Sequence, residues 1–318
     1  MNTPTVEIIN RVLPILLLIL LGYGLRRIGF LSEEIIEGFK KIVVNIALPA
    51  VLFLSFLQVE FQASFIVVFV AVFGLCLLLY GVGLLLKPRV APEHPYFPFL
   101  MTGFEYGMLG ISLFGSAYGL SNLPFIAVIG LGHEIFIWFV FLPLLLIKRD
   151  GIQQTSVLLK SFFKSPVILG ILAGIIGSLL GVTDQLYAWP VTGGIMTALQ
   201  FLANLTIPLI LLVVGYGIKL DRDGAGESLR VVLLRLGILI PLALLVNRFL
   251  IGGLLHLGQA YQMAFFVLLI LPPPFIIPLF MRRGAAEERR YVNNVLAVYT
   301  VVTIVVFTIY FVLNPVLG

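Results

Sequence analysis

Ten apolar stretches, each close to the length of a bilayer crossing, run through the chain at residues 9–26, 41–57, 63–86, 96–118, 122–147, 165–182, 193–218, 229–250, 259–281 and 291–316. A helix that crosses hydrocarbon needs about 20 mainly apolar residues, and lipid admits only structures whose backbone hydrogen bonds close internally. The expected fold class is therefore an all-α polytopic membrane protein with ten transmembrane helices. Composition agrees: 60% of the 318 residues are hydrophobic and 11% charged, against about 25% charged in soluble domains. The first stretch reads as a true span. Glu7 and Arg11 make a poor basic leader, no small-residue cleavage site follows, and Arg26 and Arg27 come next. Cys76 is the only cysteine, so no intrachain disulfide can form, and it reads as a small core residue.

Basic residues fix an expected orientation. Arg26, Arg27, Lys40 and Lys41 lie between spans one and two, Lys87 and Arg89 between three and four, and Lys148, Arg149, Lys160 and Lys164 between five and six. Lys219, Arg222, Arg230 and Arg235 flank the turn from seven to eight, and Arg282, Arg283, Arg289 and Arg290 the turn from nine to ten. All these connections share one side. The opposite ones, such as FLQVEFQAS (56–64) and GLSNLP (119–124), hold no Lys or Arg, and Arg11 and Arg248 sit near the outer ends of their spans. The positive-inside rule then puts both termini outside a cell membrane that the chain crosses many times. Because the charge is dispersed over five turns, lipid headgroups are the expected partners and nucleic acid is not.

The strings NIALP (45–49) and NLTIP (204–208) fall in spans two and seven. Cutting near residue 155 gives two sets of five spans, 1–155 and 156–318; five is odd, so the second set enters the membrane inverted. Span one contains Pro14 and span six opens with Pro166. Span four is interrupted by glycines (GFEYGMLGISLFG, 103–115) and span nine by prolines (LILPPPFIIPLF, 269–280). Each half thus has its disrupted helix fourth.

A helical proline lacks an N–H and displaces the carbonyl four residues earlier, here that of Asn45 or Asn204. One position therefore offers a released carbonyl and a side-chain amide. A kink sealed by the amide is the plainer account of one copy; two symmetric copies favour a lined site, with Pro49 and Pro208 beside it. In span nine, Leu271, Pro272 and Pro273 each precede a proline and are driven to extended geometry. The helix must break there. Pro274 suits the first position of a second half-helix, whose free N–H groups would attract an anion beside Pro273 and Phe275. In span four, Gly103, Gly107 and Gly110 permit close approach of another backbone; helix packing alone would account for them, and the segment's place in the repeat is what suggests a crossing with span nine.

Few ionisable groups lie inside the apolar windows. An intramembrane charge costs roughly 2.5–3.5 kcal/mol on insertion scales, so such residues point to function. Glu105, in the glycine-broken segment, leads as a proton or cation site. Glu134 and His133 follow as ion-coupling candidates, although adjacent helical residues point about 100° apart. No Lys or Arg is expected mid-span.

These residues resemble the auxin efflux carrier family of membrane transporters, kin to the bile acid and sodium symporters. The likeness rests on LPILLLILLGYGLRRIGFLSEE (13–34), ALPAVLF (47–53) and the broken spans four and nine. It implies a scaffold of spans one, two, six and seven, often dimeric. It also implies a transport unit of spans three to five and eight to ten that carries organic anions by an elevator-like movement. Substrate would sit at the crossing of spans four and nine near Tyr106, Gly107, Gly110, Ser112, Pro273, Pro274 and Phe275, facing Asn45 and Asn204. Where the family often has Asn-x-Gly-x-x-Gly-x-Pro, this chain reads EYGMLGIS (105–112), with Glu105 in the Asn place and Ser112 in the Pro place. Two carboxylates in low dielectric repel, so either Glu105 is protonated with the substrate or the cargo is neutral or cationic.

The function expected is a proton-coupled permease for a small organic acid. A sodium-coupled symporter is the nearest rival, and a channel or sensor on the same fold the alternative of another class. Enzyme readings find little support. GISL (110–113) lacks the last glycine of a Gly-x-Ser-Gly protease motif, HEIFI (133–137) lacks the second His of a zinc motif, and there is no Walker lysine. No cofactor or metal is expected.

Overall fold

The computed structural model describes residues 3–150, 164–218, 224–282 and 286–315. Lys160, Lys219, Arg222 and Arg283, and the repeat boundary near residue 155, lie outside the described residues. Every regular element among those described is a helix. Eight helices are long and apolar enough to cross a membrane: Ile9–Arg27, Glu33–Leu57, Ala63–Val90, Phe97–Tyr118, Leu120–Arg149, Pro190–Gly217, Ala225–Leu254 and Ala286–Leu313. Windows six and nine yield the shorter apolar helices Pro166–Leu179 and Gln259–Ile270. Proline accounts for both. Pro166 starts the first at its N-terminal turn, and the second stops at Ile270, where Leu271 is already extended at φ −66° and ψ 150°.

Span two begins earlier than its apolar window, because the amphipathic stretch EEIIEGFKKI continues into it as one helix. Its start is capped by Ser32, whose Oγ accepts the Ile35 N–H at 3.3 Å, and acidic residues occupy its first turn. Lys40 and Lys41 thus lie on helix Glu33–Ile42 rather than in a turn.

Two helices widen just ahead of a proline. The Leu48 N–H reaches back five residues to the Val43 carbonyl, immediately before Pro49, and the Leu142 N–H does the same to Ile137 before Pro143. The extra residue in the turn makes room for a ring that would otherwise strike a carbonyl of the preceding turn.

The chain divides into two compact units, each drawing on both sequence halves. The first comprises Met1–Ala63, Gly107–Val128 and Lys160–Gly217. Within it, Gly22 meets the Leu212 carbonyl and Gly215 the Ile19 carbonyl, so spans one and seven touch backbone to backbone. Helix Pro166–Leu179 packs on Leu48–Leu57 in the same way. A Cβ on Gly170 would lie 2.6 Å from the Pro49 oxygen, and one on Gly174 2.6 Å from the Phe53 oxygen. Small residues give this intimacy where lipid offers no hydrophobic drive between helices.

The second unit comprises Ser64–Tyr106, Ile129–Leu159 and Ile218–Gly318. Helices Ala225–Val246 and Ala286–Leu313 pack together, and Gln259–Ile270 packs on both. One polar cluster ties segment starts. His94 Nδ1 lies 2.9 Å from Glu288 Oε2 and Nε2 3.0 Å from Glu227 Oε1, with the ring stacked on Tyr291 at 3.5 Å between centroids.

Candidate functional site

Span four breaks where its glycines predict. Helix Phe97–Met101 ends, residues 102–105 run non-helically, and helical structure resumes with Tyr106–Gly110 and Ile111–Tyr118. Gly103 makes the turn at φ +67°, a conformation that other residues enter at a cost of about 1–2 kcal/mol. The turn lies against the proline run of window nine. A Cβ on Gly103 would stand 2.9 Å from Pro274 Cγ, and the Glu105 N–H donates to the Pro272 carbonyl at 2.8 Å.

Span nine departs from expectation beyond its break. Pro274 opens a turn, and only the four-residue 3₁₀ helix Ile277–Phe280 follows. A second proline, Pro278, removes a further N–H. The half-helix expected to begin at Pro274 is therefore absent, and with it the dipole that was to hold an anion. The Phe275 N–H does find an acceptor, and the protein supplies it: Glu105 Oε2 accepts that hydrogen at 2.6 Å. Glu105 is 7% exposed, so this bond lies out of water.

His133 joins the same break. Its Nε2 accepts the Phe104 N–H at 2.9 Å, which leaves the proton of a neutral ring on Nδ1, 3.6 Å from Glu134 Oε1. The Tyr106 ring meets His133 edge-on at 6.0 Å and lies against Gly130, where no side chain would fit.

Arg235 contradicts the expectation that no Lys or Arg lies mid-span. It is the eleventh residue of helix Ala225–Val246, about 15 Å along its axis, and 0% exposed. Nη1 donates to the Leu100 carbonyl at 2.9 Å and Nη2 to the Gly103 carbonyl. The broken end of span nine is closed similarly, by Thr303 Oγ1 donating to the Ile270 carbonyl at 2.8 Å. The sequence places Arg235 among the basic residues that flank the turn from seven to eight, although it lies inside the window 229–250; the apolar LRLGILIP that surrounds it is the available signal.

The remaining candidates belong to the first unit. Gly107 lies in ordinary contact with Leu48, 3.4 Å from where a Cβ would stand, and Gly110 continues the helix at φ −62°. Ser112 is buried and donates to the Met108 carbonyl at 2.7 Å. Asn45 and Asn204 are exposed. The Asn45 amide donates to the Lys41 carbonyl at 2.8 Å on its own helix, and Asn204 accepts from Gln200 at 3.2 Å. Pro49 falls in the first turn of Leu48–Leu57, and Pro208 in the first turn of Thr206–Gly217.

This chain can be set beside known proteins. The model of the membrane transport protein family covers residues 7–311. The chain belongs to this family. It is the auxin efflux carrier family to which the sequence bears resemblance, and its members are multi-pass membrane transporters. An uncharacterised transporter of Methanothermobacter thermautotrophicus (strain Delta H) is 26% identical over 266 residues, covering 80% of this chain and 78% of its own.

Proposed function

We propose that this membrane transporter is a secondary permease for a small organic acid, coupled to protons through Glu105 and working by elevator-type alternating access. The observation that carries the reading is the Glu105 carboxylate on the Phe275 N–H, at the crossing of the two broken spans. A substrate carboxylate seeking that donor meets a resident one, and two such charges in low dielectric repel. A proton delivered to Glu105 removes the repulsion and releases the amide, so proton and substrate enter together. Glu134 and His133, beside the same break, are the further candidates for the proton's path.

Packing supports two inverted repeats. Exchanging span one with six and two with seven turns the glycine-mediated pair one and seven into the pair six and two, and both pairs touch backbone to backbone. The scaffold reading draws support from the first unit, which gathers spans one, two, six and seven, while spans three, eight, nine and ten fall in the second; spans four and five, expected in the transport unit, are divided, with Gly107–Val128 in the first. Asn45 and Asn204, with Gly107, Gly110 and Ser112, stay as candidates within the first unit, and a homodimer through the scaffold accords with the family.

Purified protein in liposomes should accumulate a carboxylate from a panel of carboxylates, amines and neutral solutes when an inward proton gradient is imposed. Glu105→Gln should abolish the pH dependence. Uptake by that variant identical to wild type at every pH would remove the proton role, and uptake driven by a Na⁺ gradient alone would replace it with sodium coupling.

A further inference from the structure

In an unbroken helix the Leu100 carbonyl would accept the N–H of Phe104, four residues on. Here that bond is unmade, and each half of it is held by a different side chain. Arg235 Nη1 donates to the Leu100 carbonyl at 2.9 Å, and His133 Nε2 accepts the Phe104 N–H at 2.9 Å. The second prong of the guanidinium holds the Gly103 carbonyl, the residue whose positive φ turns the chain. Its faces lie 5.1 Å and 5.2 Å from the centroids of Phe104 and Tyr299. No carboxylate among the described residues pairs with it, and its buried Nε has no partner. A buried cation without a counter-ion is costly, and carbonyls and ring faces are what offset that cost here.

We propose that Arg235 is a positioning residue for transport: its two-pronged guanidinium, together with His133, substitutes for the missing Phe104-to-Leu100 bond. It thereby keeps span four open so that Glu105 reaches the Phe275 amide. The inference rests on the reading of the crossing as the transport site. Two carbonyls three residues apart require a planar fork of donors, which Lys does not possess. Removing the fork lets Phe104 return to Leu100, winds the segment into helix and withdraws Glu105 from span nine.

The test is amide hydrogen exchange, read by mass spectrometry on the full chain in lipid nanodiscs, for wild type, Arg235→Lys and Arg235→Gln. In Arg235→Gln the peptide over residues 271–277 should exchange at least about tenfold faster, the effect of losing one charge-assisted bond. Helix Thr206–Gly217, in the other unit, should be unchanged. Arg235→Lys, which holds one carbonyl at a time, should fall between. Should Arg235→Gln fail to fold, Arg235→Lys decides by the same comparison. Wild-type exchange at 271–277, exchange raised equally throughout the chain, or failure of both variants to fold would overturn the proposal. Proton-driven uptake of benzoate into liposomes gives the second readout, with maximal rate expected to fall more than apparent affinity. Exchange needs no substrate, so intact local protection without uptake by wild type counts against the transport reading alone.

Discussion

The Glu105 carboxylate accepts the Phe275 N–H at 2.6 Å across 170 residues of sequence, and the Glu105 N–H returns a bond to the Pro272 carbonyl at 2.8 Å. Backbone and side chain of one residue thus close the crossing from both directions. Replacing Glu105 with Ala leaves the Phe275 donor without its acceptor, at a cost of about 1–3 kcal/mol. Glu105→Gln, which keeps an acceptor oxygen, should lose less. Thermal unfolding midpoints of the two variants check this order.

Gly103→Ala should be among the most damaging small substitutions in the second unit. The new methyl meets Pro274 Cγ at 2.9 Å and the backbone is held at φ +67°; the torsion alone costs about 1–2 kcal/mol. Gly24→Ala, on a helix with nothing within 4 Å of the added atom, is the matched control and should leave the unfolding midpoint unchanged or raised.

His133→Phe keeps ring volume and removes the acceptor of the Phe104 N–H, and should destabilise by about 1–3 kcal/mol. His133→Gln restores an acceptor and should recover part of the loss. Denaturant midpoints in a single detergent separate the two; equal loss in both would show that ring packing, not the hydrogen bond, is what matters.

Gly174→Leu should break the first unit at the seam between helices Pro166–Leu179 and Leu48–Leu57. A Cβ there already stands 2.6 Å from the Phe53 oxygen, and overpacking costs typically about 1–3 kcal/mol or more. Size-exclusion chromatography should show aggregation, while Gly194→Leu, where a Cβ meets nothing within 4 Å, should elute as wild type.

His94→Ala should loosen the second unit without touching the crossing. Both ring nitrogens and one ring face are engaged, by Glu288, Glu227 and Tyr291. The loss should lower the unfolding midpoint and speed exchange at the start of helix Ala286–Leu313, leaving residues 271–277 protected.

Hydropathy located the membrane segments because burial in lipid is written residue by residue, and the breaks were legible because Gly103 and Pro272 to Pro274 act through local backbone chemistry. Ends of segments were less legible. Helix Glu33–Ile42 is amphipathic rather than apolar and fell outside its window, and the segment after Pro274 lacked a stable helix because Pro278 followed too soon. Glu105 stood out as an acid among apolar neighbours, whereas its partner, a backbone amide, carries no mark in the sequence. Arg235 was hidden by its place near the start of window eight, where it reads as one more basic residue flanking the turn. Only the carbonyls that span four leaves open explain why it lies inside.

The widened turns before Pro49 and Pro143 carry a consequence for how those rods can bend. A surplus residue in a helix can migrate, each turn passing it to the next and rotating the stretch it crosses by about 100°. Migration past a proline is barred, since that nitrogen has no hydrogen to hand over. The surplus residue therefore cannot pass Pro49 or Pro143 toward the C-terminus, and any rotation it carries stays on the N-terminal side of those rings.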